Sequence, residues 1–395
     1  MSDLTQVVTL CKVLHEAPSV AALADSSVDP DTRTAARFLA PLMAEGVPAF
    51  IENVAVRMKA LQVEGRLLPL AVVEPHPNNT AYVASPMGQY IRYSREEMLS
   101  GSHYSRSLRW MARPAFAAIQ AACRLTGFER VVFVNDWLLS SNLWPTLDTA
   151  MLPVMLHQLQ HAFPDYAIVF RSVCERSEGA LLQALREQGG LPVVSRQVYM
   201  LDTSDPSYRK KRPLQQDGKR WDKQTEYQAV WLSHADQETA ARIRRLYEMV
   251  YLEKYSAYNP RYRERFIQLA LESGCMDFQA LQNRSSGRID AVQAIFRRQG
   301  VVTTPFIGHD RSLPPQAGLY RHLNLLLTRE AEATAGLLHM SSGAAQFKKQ
   351  RGGVPDFEYN VAFIDHLGGW RRLPWRFWHR LSERRIKPGM QQYGV

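Results

Sequence analysis

Apolar positions in the first half of the chain alternate as β-strands require, whereas other segments repeat them every three to four residues, as helices do. Residues 1–45 have a helical pattern that we expect to be peripheral. The alternation that follows predicts strands at residues 51–63, 67–73, 82–85, 131–134, 166–170 and 193–201, with helices at 111–126 and 152–162. Two strands followed by alternating strands and helices predict a mixed sheet with helices on both faces.

The second half of the chain repeats this succession. Its pattern predicts helices at residues 237–255, 261–272 and 319–335 and strands at 278–282, 289–296, 301–307, 337–340 and 357–364. Residues 180–192 and 343–355 each end a helix on a Gly-Gly pair, place a proline two residues later and continue into an alternating strand. Glycine ends a helix readily and proline cannot continue one. The repetition therefore predicts two domains of one fold, with a ligand site within or between them.

These patterns divide the chain into five parts, which together predict an α/β class with two tandem domains, each a twisted mixed sheet flanked by helices. The predicted parts are a helical extension at 1–49, a first domain at 50–201, a basic linker at 202–227, a second domain at 228–366 and a basic aromatic tail at 367–395. A chain of 395 residues, 46% hydrophobic and 22% charged, has room for both cores and an ordinary globular composition.

Composition and residue spacing limit the kinds of site, location and partner that we expect. The four cysteines and eleven histidines show no metal-ligand spacing, so we expect neither a metal site nor disulfides. No apolar run approaches the ~20 residues that cross a bilayer, and the first residues lack a basic signal-peptide segment, so we expect a cytoplasmic protein. The net charge of +10 favours an anionic partner such as a nucleotide-bearing cofactor, an RNA or a membrane surface, although a basic surface also serves solubility.

The order of elements resembles that of the GNAT-type acyl-CoA N-acyltransferases, and more closely the tandem branch that includes the Fem-type aminoacyltransferases. The resemblance covers residues 50–201 and 228–366. In the second half it rests on a long helix that starts at Tyr320, a strand, a small-residue turn and an aromatic-Lys helix that ends at Gly352. Neither half has the Gln/Arg-x-x-Gly-x-Gly/Ala loop with which typical members hold the cofactor pyrophosphate, and Phe347 stands where Tyr is common.

The resemblance implies an enzyme that moves an acyl or aminoacyl group onto the amine of a small molecule or peptide. The implied co-substrate is an acyl thioester of coenzyme A or of an acyl-carrier protein, not permanently bound, with aminoacyl-tRNA as the alternative donor. Such a transfer needs a positioned donor, hydrogen bonds to the developing oxyanion and a proton acceptor, but no covalent nucleophile. The competing interpretation is a non-catalytic RNA- or membrane-associated module that keeps the fold.

The donor is expected at the small-residue turn and the basic helix after it, because small residues let the backbone approach a ligand and cations hold anionic groups. The predicted donor-binding residues are Ser341, Ser342, Gly343, Gln346, Phe347, Lys348, Lys349 and Arg351. The same segment also fits a helix with a basic exposed face and Phe347 in the core. We further expect a splayed strand pair in one domain, with segment 341–351 at the mouth of the cleft.

The remaining candidates follow strands or end a helix. The predicted catalytic residues are Glu253 as proton acceptor, Tyr255, His309 and Asp310, and the predicted substrate-binding residues are Asn135, Asp136, Trp137, Tyr251, Asn259 and Tyr320. Segments 135–137 and 309–310 follow equivalent strands, where the ligands of open α/β sheets gather. The structural alternatives are a capped helix end at 251–260 and an Asx turn with a packed tryptophan at 135–137.

The tail is basic and aromatic. Residues 368–388 contain six Arg and one Lys against a single acidic residue, Glu383. Its aromatic residues, Trp370, Trp375, Phe377 and Trp378, suit a peripheral membrane contact with the arginines on anionic lipid, or stacking on RNA bases. A helix that docks these side chains on the body of the protein is the third interpretation.

Overall fold

A computed structural model describes residues 11–100, 106–334 and 336–393. Within them, twelve strands form one sheet. The strands are β1 Cys11–Leu14, β2 Arg57–Val63, β3 Arg66–Val73, β4 Val131–Val134, β5 Ala167–Cys174, β6 Leu191–Asp202, β7 Tyr227–Leu232, β8 Asp277–Asn283, β9 Ile289–Arg298, β10 Val301–His309, β11 Leu337–His339 and β12 Val354–Phe363.

The strand order shows that the two halves are built alike. It runs β1-β2-β3-β4-β5-β12-β6-β11-β10-β9-β8-β7, so each of the first six strands has a counterpart six numbers later at the mirrored position. β4–β5 and β10–β11 are parallel, and the other neighbours are antiparallel. The last strands are exchanged, because β6 lies between β11 and β12 while β12 lies between β5 and β6. The halves are therefore joined through the middle of one continuous sheet.

Helices cover the sheet. They are α1 Ala17–Ala21, α2 Leu23–Ser26, α3 Pro30–Glu45, α4 Ser94–Ser100, α5 Arg106–Leu125, α6 Leu152–Ala162, α7 Glu175–Glu187, α8 Arg212–Lys223, α9 Gln237–Val250, α10 Glu264–Glu272, α11 Leu319–Thr334, α12 Ala345–Lys349, α13 Gly369–Leu381 and α14 Lys387–Tyr393. Two large hydrophobic clusters lie on opposite faces: Phe133 belongs to the one that includes α3, α9 and α13, and the adjacent Val132 to the one that includes α6 and α7.

The predicted class, a mixed α/β sheet flanked by helices, is confirmed, while several local predictions need correction. Residues 82–85 were expected as a strand, but Tyr82–Ala84 is a 3₁₀ turn whose first N–H donates to the Tyr258 carbonyl, 2.9 Å away. The helix expected at 237–255 changes to a π-helical turn at Tyr251–Tyr255. A peripheral helix was expected before residue 45, yet α3 buries Phe38 completely, and β1 precedes it.

The segment between the halves contains regular structure. Residues 202–227, expected as a linker, include the 3₁₀ turn Pro206–Lys210 and helix α8. Pro213 occupies the first turn of α8, where its missing N–H costs nothing. Residues 1–10 of the predicted N-terminal extension lie outside the described residues. In the part of the chain that the structure describes, no helix combines the length and apolarity that a bilayer crossing requires.

Candidate functional site

The site begins where β10 and β11 part. The two strands pair only over Val301–Thr303 and Leu337–His339, after which β10 is irregular between Thr303 and Phe306 and continues along β9. β11 ends at His339, so the strands diverge. The cleft between them is a cavity of about 130 Å³ that opens to solvent. Thr304 and Ile307 form one wall, and residues 340–344 form another.

Tyrosines line much of the cleft: Tyr82, Tyr93, Tyr251, Tyr255 and Tyr320, together with Asn259 and Asn324. Burial raises the pKa of Tyr93 and Tyr251, and raises the pKa of Tyr320 to about 12, so these three phenols keep their protons at neutral pH. Among the described residues, no hydrogen bond engages the hydroxyl of Tyr93 or Tyr251. These hydroxyls remain able to donate to a ligand.

An arginine from the first half reaches this cleft. Arg196 on β6 lies opposite Glu358 on β12, at the centre of the sheet. Its Nε donates to Glu358 Oε1 over 3.1 Å and its Nη2 to Oε2 over 2.8 Å, and Nη2 also donates to Ser141 Oγ over 2.9 Å. Burial opposes ionisation of Glu358, but the charge of Arg196 prevails and lowers the pKa of the carboxyl. The pair is therefore ionised.

Lys348 is the buried amine of the site. It belongs to α12, and its Nζ donates to the carbonyls of Ser341 over 3.1 Å and Ser342 over 2.7 Å. Burial, and then the nearby charge of Arg196, lower the pKa of Lys348 to about 7. A neutral amine has two N–H donors and one lone pair. With both donors engaged by carbonyls, the lone pair is left for a proton in the cleft.

His339, at the end of β11, is fixed in its neutral form. Burial lowers the pKa of His339 to about 4. Its Nδ1 accepts from the N–H of Ser341 over 3.1 Å, so the proton of the neutral ring is on Nε2. The side chain thus holds the start of the 341–344 turn in place.

One buried trio in the described residues brings potential metal ligands together. Ligand atoms of Cys174, His339 and Glu358 lie within 4.8 Å of one another. Arg196 engages both Glu358 oxygens, however, and burial raises the pKa of Cys174 well above its ordinary value, which keeps the thiol protonated. The absence of a metal site remains a prediction.

The structure brings eight of the predicted site residues together at the cleft: Tyr251, Tyr255, Asn259, Tyr320, Ser341, Ser342, Gly343 and Lys348. A splayed strand pair with segment 341–351 at the mouth of its cleft was expected. In the structure, residues 341–344 and Lys348 line the opening between the diverging strands β10 and β11. Gln346 and Lys349 are exposed on α12 and do not line the cleft.

Arg351 and Phe347 lie beside the cleft and pack on each other. The Arg351 guanidinium is 3.5 Å from the centre of the Phe347 ring, and its Nε donates to Asp217 over 2.7 Å. Arg351 is 6% exposed, so it ties α12 to α8 and its predicted role in holding a donor anion is not supported. Phe347 packs against Tyr320, with ring centres 5.1 Å apart, and lines a neighbouring cavity.

Three of the four predicted catalytic residues are placed elsewhere. His309 and Asp310 line that neighbouring cavity rather than the cleft. Burial opposes ionisation of Asp310, but hydrogen bonds from Arg242, 2.8 Å away, and Ser312 prevail and lower its pKa to about 2, which makes it a poor proton acceptor. Glu253 is exposed and ion-paired with Arg245, so its predicted role as proton acceptor is not supported either.

The predicted substrate site of the first half is part of the core. Asn135, Asp136 and Trp137 are 0% exposed. Trp137 Nε1 donates to Asn135 Oδ1 over 3.0 Å, and Asp136 accepts from Arg171 Nη1 over 2.6 Å and from the Leu138 N–H over 2.9 Å. This is the Asx turn with a packed tryptophan, and it leaves no room for a substrate.

Sequence reasoning missed Arg196, Glu358, Tyr82, Tyr93 and Ser141. Two of them had a signal, since Arg196 and Glu358 are charged residues within strands that are otherwise largely apolar. Such residues require a buried partner. Their pairing depends on the exchange of β6 and β12, which no local pattern reveals.

Comparisons with known proteins show which solved structures have a similar fold. No family model matches the sequence, and no curated protein matches it by sequence. The solved structure of FemX superposes with a TM-score of 0.51 and 8% identity, over 90% of this chain and 98% of that one. A tandem GNAT protein from the clavulanic acid biosynthesis pathway gives 0.40 with 10% identity, covering 89% and 98%, and L-PGS from Bacillus licheniformis gives 0.42 with 14%, covering 60% and 79%. The superposition on FemX shows that this chain shares the fold of that protein over nearly its whole length, which confirms the fold expected from the resemblance to the Fem-type tandem branch.

Proposed function

We propose that this protein transfers an acyl or aminoacyl group from an activated ester to an amine, by direct attack within the cleft between β10 and β11. The observation that carries the proposal is Lys348, a buried amine with a pKa of about 7 that lines this cleft. The tandem GNAT-like fold is compatible with it, because acyl transfer to an amine needs a positioned donor and a proton acceptor rather than a covalent nucleophile.

Lys348 acts as the proton acceptor. An amine acceptor is largely protonated at neutral pH and must lose a proton before its nitrogen can attack. The lone pair of neutral Lys348 takes that proton, while the carbonyls of Ser341 and Ser342 stabilise the ammonium that forms. A base with a pKa near the working pH is the most effective one, because it is present in the unprotonated form and still accepts protons readily.

The tyrosines act on the developing charge. Attack of the amine on the carbonyl carbon places a negative charge on the carbonyl oxygen, and collapse of the adduct releases a thiolate or an alkoxide. The hydroxyls of Tyr93 and Tyr251 are protonated and available to donate to either oxygen or sulfur. Fixed donors in a desolvated cleft stabilise such charge more strongly than water does.

Arg196 positions the donor. Its Nε and Nη2 are held by Glu358 and Ser141, whereas its Nη1 makes only a 3.4 Å contact with Ser341 Oγ. Nη1 therefore keeps the capacity to bind a carbonyl or carboxylate oxygen in the cleft.

The donor we favour is an acyl thioester of coenzyme A or of a carrier protein, with aminoacyl-tRNA as the alternative within this class. Tyr320 lines both the cleft and the neighbouring cavity, which has a volume of about 440 Å³. Arg311 and Arg321 line that cavity. Both donors carry phosphates, so the cations suit either, and the acceptor is the amine of a small molecule or peptide.

Turnover tests the proposal. Purified protein is assayed with acyl-CoA, acyl-carrier and aminoacyl-tRNA donors against a panel of amines, with release of free thiol or uncharged tRNA as the readout. We expect turnover with one donor class, and a fall of about 10²–10⁴-fold in Lys348→Met. Lys349→Met, which changes an exposed neighbour outside the cleft, is the matched control and keeps its rate.

Two results contradict the proposal. Absence of turnover with every donor supports the non-catalytic module instead. Equal rates in Lys348→Met and Lys349→Met place the chemistry elsewhere.

A further inference from the structure

The first helix of the tail has two unlike apolar faces. Trp375 and Trp378 on α13 are 1% and 6% exposed and pack on the body of the protein. Trp370, Leu373 and Phe377 are 55%, 58% and 46% exposed. Their spacing of three and four residues puts them on one side of the helix. Docking on the protein therefore accounts for two of the four aromatic residues and leaves a large apolar stripe in solvent.

Unpaired positive charge continues this stripe. Arg380, on α13, follows Phe377 at the same spacing, and Arg384 lies in the π-helical turn Ser382–Ile386 that continues α13; both are exposed. Among the described residues, neither has an ion-pair partner, and Glu383 is the single acidic residue of the tail. We call the surface formed by Trp370, Leu373, Phe377, Arg380 and Arg384 the tail face. It combines exposed apolar side chains with basic ones.

A neighbouring helix has the same character. Trp110 and Leu125, near the two ends of α5, are 76% and 78% exposed. The sequence of α5 contains four Arg and no acidic residue. The chain directly after α5 packs against α13, with the ring centres of Phe128 and Trp375 4.8 Å apart. Together the two helices carry five of the nine exposed large hydrophobic side chains in the described residues.

We propose that the tail face binds the surface of an anionic phospholipid bilayer, with α13 parallel to the membrane. Amphipathic helices that bind membrane interfaces combine exposed Trp, Phe and Leu with arginines in this way, because apolar side chains enter the acyl boundary while cations pair with headgroups. Leu373 argues against RNA, since an aliphatic side chain offers no face for stacking on a base. A second copy of the chain that docked through the same face would bring Arg380 and Arg384 against like charges. The proposal is independent of the proposed acyl transfer.

Vesicle binding tests it. The full-length protein is sedimented with vesicles of equimolar phosphatidylglycerol and phosphatidylcholine, and with vesicles of phosphatidylcholine alone. We expect binding to the anionic vesicles that weakens as salt is raised, and weaker binding to the neutral ones. The triple variant Trp370→Ser/Leu373→Ser/Phe377→Ser should lose at least about tenfold in partition, because three inserted side chains are removed.

A matched triple variant provides the control. Val28→Ser/Trp231→Ser/Val354→Ser also removes three exposed apolar side chains, 93%, 50% and 42% exposed, but away from the tail. It should bind vesicles like the unmodified protein. Thermal melts of both variants check that the fold is retained. We expect it to be retained, because the substituted side chains are exposed.

Three outcomes overturn the proposal. The first is equal vesicle binding by the two triple variants. The second is no vesicle binding by the unmodified protein together with salt-sensitive binding to a structured RNA. The third is a dimer, seen by light scattering, that only the tail-face variant dissociates, with no vesicle binding.

Discussion

The two halves of the sheet have the same strand order, and each has one pair of parallel strands, β4–β5 and β10–β11. We call the space beside the ends of such a pair the seam. Only the second half keeps its seam open. There β10 and β11 diverge after three paired residues, and a tyrosine-lined cleft remains. In the first half, β4 ends at Val134 and residues 135–144 turn inward. All of their side chains are at least 92% buried, with Trp137, Leu138 and Leu139 in the hydrophobic core. A repeated fold thus supports two different outcomes at equivalent places, a filled seam and an open one.

The filled half still contributes to the open one. Ser140, from the inward-turning segment, donates to the Pro305 carbonyl of β10 over 3.1 Å. Ser141, its neighbour, accepts from Arg196, and Arg196 itself comes from the last strand of the first half. The first half therefore supplies a wall of the second half's cleft. The comparison leads us to expect that substitutions in the filled seam change stability, whereas those in the cleft change transfer.

The largest expected effect is in the filled seam. Asp136→Ala leaves Arg171, whose side chain is 3% exposed, without its partner. Loss of one member of a buried ion pair lowers the free energy of unfolding by about 3–5 kcal/mol. Urea denaturation followed by circular dichroism measures it. Asp222→Ala is the control, since it breaks the exposed pair with Arg329 and should cost less than about 1 kcal/mol. Similar losses in the two variants would contradict the structural role of the filled seam.

The next effect concerns the rate of transfer. Tyr93→Phe and Tyr251→Phe, made separately, remove hydroxyls that have no partner among the described residues. Unfolding free energies should therefore change by less than about 0.5 kcal/mol. If one of these hydroxyls binds the oxyanion, its variant loses about 10²–10³ in kcat, or roughly 2.7–4 kcal/mol of barrier stabilisation. Unchanged rates in both variants would remove the tyrosines from the chemistry.

The third effect is a pH dependence of stability. The pKa of Lys348 is about 7 when folded and near its ordinary value of 10.5 when unfolded, so between these values the unfolded chain binds more protons. Stability therefore rises with pH in this window, by about 1.4 kcal/mol per pH unit. We expect the unfolding free energy of the unmodified protein, relative to Lys348→Met, to increase by that amount from pH 7.5 to 8.5. A difference in unfolding free energy that stays constant between these pH values would show that burial does not lower the pKa of Lys348.

The smallest effect tests the contribution of the first half to the cleft. Ser141→Ala removes the hydrogen bond to Arg196 Nη2, which is also held by Glu358, and a long 3.4 Å bond that the hydroxyl donates to Ser341 Oγ. We expect a loss of about 0.5–1.5 kcal/mol in stability or in kcat/KM. Ser207→Ala serves as the control, because its hydroxyl bonds Asp205 at an exposed position. Equal losses in Ser141→Ala and Ser207→Ala would show that the first half does not contribute to the cleft.

Much of the fold could be predicted from local patterns, because helix and strand periods and the repeated Gly-Gly-x-Pro unit are written in neighbouring residues. The exchange of β6 and β12 could not, since pairing of strands more than 150 residues apart depends on the whole sheet. For the same reason Arg196 and Glu358 were not recognised as partners. Lys348, Tyr251 and Tyr320 were found because they belong to segments with a local signal.

The segments that follow β4 and β10 differ in apolar content, and this difference distinguishes the filled seam from the open one. Residues 135–145 contain two Trp and three Leu, which favour burial, whereas the equivalent 308–318 contain His309, Asp310, Arg311 and Ser312. A segment of the first kind can collapse into the seam beside its strand. The first kind buries a single charge, Asp136, which Arg171 pairs, whereas collapse of the second kind would also bury His309 and Arg311. Apolar content would thus have separated core from candidate site.

The pH dependence of single-turnover acyl transfer is the sharpest test of Lys348 as the proton acceptor, because it reports the protonation of this side chain in the cleft. We expect the rate of the unmodified protein to rise about tenfold per pH unit below pH 7 and to level off above it. In Lys348→Met this limb should be absent, and the rate should be about 10²–10⁴-fold lower. The same limb in the variant, at a comparable rate, would contradict the claim that the second half's cleft works through Lys348.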